Sequence, residues 1–253
     1  MWTLDADAAP PVWRRLPSPP GAILGFSTRR GGVSDGPYDS LNLGRSTDDR
    51  PESVDENRRR LLTRLGLDPV RYANAGQVHG TTVTRVAGPG LHPDCDALVT
   101  TIPGLALAVT AADCTPILYV APGAIAAAHA GWRGTADGIP EATLAALCAA
   151  AGASPEAVSI HLGPCIRGCC YEVGPEVASR FPAAALRRAG PALRLDLPTA
   201  IRQRLLGAGA AADSIDDTGA CTACDPGGYF SHRRDHGITG RQWGVVALRD
   251  GAI

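Results

Sequence analysis

The chain has 253 residues, with 24 basic and 25 acidic side chains, a net charge of −1, 45% hydrophobic and 19% charged residues. These values exclude a disordered chain, a coiled coil and a small disulfide-stapled scaffold, and the balanced charge gives no global pull toward nucleic acid or an anionic membrane. Every basic residue is Arg, which removes any mechanism that needs a Schiff-base lysine.

The N-terminus, from Met1 to Asp7, is acidic and lacks the cationic patch and apolar core of a secretory signal, so a cytoplasmic location is expected. Residues 22–28 (AILGFST) read as the first strand. A helix is predicted over 51–65, opened by Pro51 and stopped by Gly66. Its apolar stripe is Val54, Leu61, Leu62 and Leu65, with Arg58, Arg59 and Arg60 expected in solvent. Strands follow at 96–100, 105–110, 116–120 and 124–129. The uncharged stretch 114–132 approaches the length of a membrane span, but Pro116, Pro122, Gly123 and His129 make it two strands joined by a turn. Further on come a helix at 140–151, a strand at 157–162, a helix at 198–206 and a strand at 243–249. Several strands precede the second helix, which predicts α+β with mixed sheets rather than a regularly alternating fold. No repeat or linker divides the chain, so one domain over 1–253 is expected.

Three polar segments interrupt very apolar surroundings: Gln77-Val78-His79-Gly80, Ala112-Asp113-Cys114-Thr115-Pro116 and His129-Ala130-Gly131-Trp132-Arg133-Gly134. Taken singly, His79 and His129 are more ordinary as satisfied histidines, and Cys114 as a buried small hydrophobe. Taken together they offer two imidazoles and a thiolate, a set that leaves the fourth position of a tetrahedral zinc open for catalysis. Their spacing matches no local metal motif. A rival site lies among the other cysteines. Cys221-Thr-Ala-Cys224 is a CxxC, and Cys165-Ile-Arg-Gly-Cys169-Cys170 is similar in type, so two such knuckles could close a four-thiolate structural zinc. The zinc-deaminase pattern fails, because no His is followed two positions later by Glu. The polar run Ser231-His232-Arg233-Arg234-Asp235-His236 reads as a loop, either solvated or in contact with an anion. Thr28-Arg29-Arg30-Gly31-Gly32 reads as a turn or an anion cradle. Arg133, between Gly131 and Gly134, is better placed to meet phosphate.

Read together, STRRGGVSDGPYDSLNLG (27–44), QVHG (77–80), DALVT (96–100), ADC (112–114), AAHAGWRG (127–134), GPCIRGCCYEVG (163–174) and YFSHRRD (229–235) resemble the laccase-domain proteins. These are also described as multicopper polyphenol oxidase-like or as purine nucleoside phosphorylase family proteins, and the motifs follow the family's order over nearly the whole chain. The resemblance implies two mixed sheets packed face to face with helices outside, a four-layer α/β/β/α arrangement. It places zinc on His79, Cys114 and His129. Cys221-Thr222 fits the family pattern, whereas Cys224 is variable in it, which weakens the four-thiolate rival. Ala111 stands where the family usually has threonine, and Ala75-Gly76 where it has bulkier residues. Neither change removes a ligand.

The resemblance implies phosphorolysis of adenosine, inosine, guanosine and methylthioadenosine, with adenosine deamination in the same pocket. Asp113 is the candidate proton carrier for deamination, and Arg133, Asn42, Arg233 and Arg234 are the candidate contacts for substrate or phosphate. Copper and phenolic substrates fit less well, because the only Met is the initiator and a blue-copper site wants a weak axial ligand. The alternatives are a hydrolase editing peptidoglycan precursors through the same Cys-His set, a copper polyphenol oxidase, and a non-catalytic metal-binding domain. The expected partners are purine nucleosides and phosphate, without nucleic acid or membrane, in a monomer or weak homo-oligomer.

Overall fold

A computed structural model describes residues 1–250. In chain order the strands and helices are β1 (Trp2–Asp5), β2 (Val12–Arg15), β3 (Ala22–Ser27), α1 (Pro51–Leu65), β4 (Tyr72–Ala75), β5 (Val83–Arg85), β6 (Gly90–His92), β7 (Ala97–Thr100) and β8 (Ala106–Ala111). Then come β9 (Thr115–Ala121), β10 (Ala124–Ala130), α2 (Trp132–Asp137), α3 (Ile139–Ala151), β11 (Ser159–Leu162), β12 (Glu172–Val173), α4 (Pro175–Ala178), β13 (Leu186–Ala189), β14 (Ala192–Leu195), α5 (Leu197–Gly207), β15 (Ile215–Asp217) and β16 (Gln242–Leu248).

One sheet has the order β1-β2-β3-β16-β8-β4-β6, and a second has β15-β11-β9-β10-β7-β5. Both are mixed: β4 runs parallel to β6 and β8, β5 to β7 and β11 to β15, while the remaining pairs are antiparallel. A small antiparallel sheet, β12-β14-β13, lies apart from them.

The strand alternation explains the layers. In β10, Ile125 and Ala127 join Leu118, Val120, Leu107, Val109, Phe26 and Val246 in a core between the two large sheets. The intervening Ala124, Ala126, Ala128 and Ala130 pack outward against Leu144 and Leu147 of α3 and Ile201 of α5. On the far side of the first sheet, Leu61, Leu62 and Leu65 of α1 cover Ala106, Ala108, Val245 and Trp243. The result is the expected four-layer α/β/β/α arrangement. Sheets covered on both faces carry nearly unbroken apolar runs, which is why these strands show so little alternation. The uncharged 114–132 stretch is a hairpin, β9 and β10 turning at Pro122 and Gly123, followed by the start of α2. Among the described residues no helix is long and apolar enough to cross a membrane.

Helix α1 begins at Pro51 and ends at Gly66, whose φ of 73° lets its N–H close on the carbonyls of Leu62 and Thr63. Its apolar stripe is as expected, but Arg58 is buried rather than solvated. The Arg58 guanidinium donates twice to the Leu43 carbonyl, at 2.9 and 2.7 Å, and lies over the Trp243 ring at 4.7 Å. Each of its three guanidinium nitrogens thus keeps a hydrogen-bond partner, the third being the Tyr72 hydroxyl at 3.3 Å. The Arg29-Arg30 segment is a turn. Arg29 donates to the carbonyls of Asp39 and Pro226, and Arg30 donates to that of Gly227.

Candidate metal centre and its cavity

Three chain crossings meet at one end of the two packed sheets. The chain leaves β4 into the loop carrying His79, passes from β8 in the first sheet to β9 in the second through Cys114, and leaves β10 through His129 into α2. In β10 the alternation that points Ile125 and Ala127 between the sheets puts His129 on the same inner face. The ligand atoms of His79, Cys114 and His129 all lie within 4.8 Å of one another, and the two imidazoles meet edge to face with centroids 4.9 Å apart.

Asp96 builds this arrangement. It is wholly buried, and its carboxylate accepts the backbone N–H groups of Val78 (3.1 Å), His79 (3.0 Å) and Gly80 (2.7 Å). His129 Nδ1 lies 2.9 Å from Asp96 Oδ1. With Nδ1 donating to the carboxylate, Nε2 is the nitrogen left for a metal, the common carboxylate–histidine support of metal ligands. The same three amide bonds hold His79 at φ 62°, a left-handed conformation that a non-glycine residue adopts at a cost of about 1 kcal/mol or more. Gln77, also at φ 62°, is clamped by Thr110, whose N–H and hydroxyl donate to its Oε1 at 2.8 and 2.7 Å. Sequence reasoning passed over Asp96. Its signal was an acid at the head of the apolar run Ala97–Thr100, directly after Cys95.

The electrostatics favour a ligated thiolate. Burial alone would raise the Cys114 thiol, but His129 and His79 outweigh it and bring its pKa down to about 6. Burial opposes the charge on His129 too, yet Cys114 and Asp96 lift it to about 9. Between those values the metal-free pair is a thiolate beside an imidazolium. Gly131 leaves the space these groups need, since a Cβ there would stand 2.9 Å from Cys114 Sγ and 3.2 Å from His79 Cδ2. In a tetrahedral zinc site with two His and one Cys the ligand atoms sit about 3.3–3.6 Å apart, so the observed cluster fits with small side-chain adjustments.

The three residues open onto a cavity of about 1380 Å³. Arg133, Arg233, Arg241, Tyr171 and His232 line it together with Thr110 and Asp113. Arg133 is exposed and lies over its neighbour Trp132, 4.6 Å from the ring centroid. Arg233 is exposed, donates to the Glu172 carbonyl at 2.7 Å and lies over the Tyr171 ring. Burial, reinforced by Cys114 and Asp113, pushes the Tyr171 hydroxyl up to about 12, so it stays neutral.

Other expected site residues stand elsewhere or have other work. Asn42 is wholly buried and away from the cavity wall. Its side-chain amide donates to Thr47 and Asp49, and its Oδ1 accepts the N–H groups of Gly44 and Arg241. It therefore reaches the cavity only by fixing Arg241, which corrects its reading as a substrate contact. Arg234 is consumed by Asp235 and by the carbonyls of Thr222 and Tyr229, and it does not line the cavity. Asp113 faces the cavity at φ 91°, but its two oxygens accept from the Thr222 hydroxyl and the Arg233 N–H, both at 2.6 Å. Gly76 lies close to the backbone of Pro93 and Asp94, where a Cβ would make tight contacts of 3.0 and 3.2 Å.

An α+β protein of two face-packed mixed sheets, with a His-Cys-His cluster where the chain crosses between them, is the class these observations define. The chain belongs to the family described as multi-copper polyphenol oxidoreductase laccase, whose model matches residues 23–249. It is 45% identical over 231 residues to a protein of Deinococcus radiodurans named purine nucleoside phosphorylase, covering 88% of each chain. A Geobacillus stearothermophilus protein named purine nucleoside phosphorylase YlmD is 37% identical over 260 residues, covering 94% of this chain and 95% of its own. The crystal structure of YlmD from that organism superposes with a TM-score of 0.89 at 36% identity, covering 94% of this chain and 96% of the other.

Proposed function

We propose that the chain is a zinc-dependent purine nucleoside phosphorylase, acting on adenosine, inosine, guanosine and methylthioadenosine, with adenosine deamination as a lesser activity. The observation that carries this reading is the meeting, in one cavity, of the His79-Cys114-His129 cluster with the exposed guanidinium groups of Arg133 and Arg233. The names of the relatives support it. Two nitrogens and one sulfur suit zinc, and the lone methionine, Met1, is at the exposed terminus rather than beside the cluster, where a blue-copper centre would want it.

In phosphorolysis an oxygen of phosphate bonds to C1′ of the ribose as the bond from C1′ to the purine nitrogen breaks, and the electron pair leaves with the purine. Arg133 and Arg233 would hold the phosphate and draw its charge toward the sugar, and charge-assisted bonds from guanidinium groups suit that task. Tyr171, kept neutral, offers a hydroxyl donor and a ring surface beside Arg233. Bound zinc would supply Lewis-acid polarisation of a substrate atom. His79, Cys114 and His129 would hold the metal, and Asp96 would keep their geometry without touching substrate. Asp113 serves this reading as the clamp that ties the buried Thr222 hydroxyl to the backbone of Arg233 on the cavity wall, and deamination then lacks a committed proton carrier, which makes it the weaker activity.

The test is a phosphate titration of zinc-loaded parent and Arg133→Ala protein with adenosine, inosine, guanosine and methylthioadenosine. The parent should release the free base and ribose-1-phosphate, or its methylthio analogue, only when phosphate is supplied. Arg133→Ala should raise the KM for phosphate roughly 10- to 100-fold, the worth of one charged hydrogen bond, and keep its zinc. An unchanged phosphate KM would remove Arg133 from the role.

A further inference from the structure

Away from the cavity cluster, Cys169, Cys170, Cys221 and Cys224 converge, with all four sulfur atoms within 4.8 Å of one another. The geometry points to a second metal site in this chain, a tetrahedral four-thiolate zinc centre of structural type formed by these four cysteines. It goes beyond the proposed activity and does not depend on it.

Backbone pairing brings the two segments together. Cys165 and Cys221 form an isolated parallel bridge, in which the Cys165 N–H donates to the Ala220 carbonyl and the Thr222 N–H donates to the Cys165 carbonyl. That bridge sets the Cys221–Cys224 turn against the tight turn at Arg167–Cys170, where the N–H groups of Cys170 and Tyr171 donate to the Arg167 carbonyl. Cys165 itself is fully buried and stays out of the cluster, so the first knuckle contributes the adjacent pair Cys169 and Cys170.

Two features favour a metal over a disulfide or free thiols. Four sulfurs converge, whereas a disulfide uses two, and the closest pairs, Cys170–Cys224 at 3.2 Å and Cys169–Cys224 at 3.4 Å, stand well beyond bonding distance. Zinc–sulfur bonds of about 2.3 Å set tetrahedral sulfur atoms about 3.8 Å apart, within the observed spread. On binding, the four thiols release their protons to solvent and leave a doubly negative centre. Arg194, on the Cys169 carbonyl at 2.7 Å, stands beside it.

The position gives the centre a use. Tyr171 follows Cys170 and lines the cavity, and Thr222 follows Cys221 and holds Asp113. A metal here would tie the loop that carries Tyr171 on the cavity wall to the loop whose Thr222 holds Asp113.

The experiment counts metal in the full chain purified under reducing conditions, stripped, and reloaded with Zn²⁺ or Co²⁺. The parent should bind two equivalents. Cys114→Ala should retain one, and its Co²⁺ form should keep roughly four fifths of the sulfur-to-metal charge-transfer absorption, because that intensity scales with the number of thiolates. Cys224→Ser should also bind one equivalent, with most of that absorption gone. Retention of metal in Cys114→Ala decides the matter even if Cys224→Ser fails to fold. The proposal is overturned if Cys114→Ala binds no metal, if Cys224→Ser loses none, or if the purified chain has an intact mass two hydrogens light with Cys224 linked to Cys169 or Cys170.

Discussion

The carboxylate of Asp96 accepts three consecutive amides and faces the His129 imidazole, so one residue sets the position of two proposed ligands on separate elements. Asp96→Asn keeps the size but turns one acceptor oxygen into a donor facing N–H groups. It should weaken zinc binding about 10- to 100-fold, the usual worth of such supporting partners, and destabilise the fold by about 1–3 kcal/mol. Equilibrium dialysis and urea unfolding would measure both, and wild-type zinc affinity in the variant would contradict the assignment. The Cys114–His129 pair makes a second prediction. In metal-free protein between pH 6 and 9 the thiol is already ionised and the imidazole is still protonated, so zinc binding must displace about one proton, from His129. Apparent zinc affinity should therefore rise about tenfold per pH unit across that window and flatten above it, where the proton is already gone. Proton release measured in weak buffer would check the sign. At this scale the three residues of the cluster were legible as polar residues in apolar surroundings. Asp96 was not, because its role exists only once the 78–80 loop folds over the head of β7.

Long elements buried on both faces were readable from their composition alone, and β8, β9, β10 and β16 lie within a residue or two of their expected bounds. Strands β1 and β2 escaped notice because Trp2-Thr-Leu-Asp5 and Val12-Trp-Arg-Arg15 mix charge into half-covered positions at and next to the sheet edge. The short β4, β5 and β6 are held by parallel pairing that no local pattern announces. Helix α1 shows how context changes a residue's place: its three consecutive arginines read as solvated, yet one seals the seam between α1, the 41–44 loop and Trp243. Arg58→Ala should leave the Leu43 carbonyl unpaired and a void against Trp243, costing about 1–3 kcal/mol in urea unfolding, whereas Arg59→Ala should change stability by less than about 0.5 kcal/mol. Equal effects would contradict the burial of Arg58. At the turn from β10 into α2, Gly131→Ala presses a methyl group into Cys114 and His79. The variant should fold and lose zinc affinity, with its circular dichroism unchanged.

Across the whole molecule, the two sheets bury enough apolar surface between and outside them to fold without metal, and the cavity cluster sits at the one end where three crossings converge. Cys114→Ala should accordingly unfold cooperatively in urea while losing turnover, and loss of cooperative folding would instead assign that metal a structural role. Part of the cavity was foreseeable, since Arg133 and Arg233 stand in glycine-flanked or polar runs. The separation of Arg233 from Arg234 was not, because adjacent loop residues diverge only when Asp113 takes the Arg233 amide and Asp235 takes the Arg234 guanidinium. The most direct measurement follows inosine and phosphate by phosphorus NMR with zinc-loaded parent and folded Cys114→Ala protein. A ribose-1-phosphate resonance should grow with the parent, in step with hypoxanthine, and be absent with the variant. No such resonance from the parent with any of the four purine nucleosides, or an equal one from both proteins, would contradict phosphorolysis at this site.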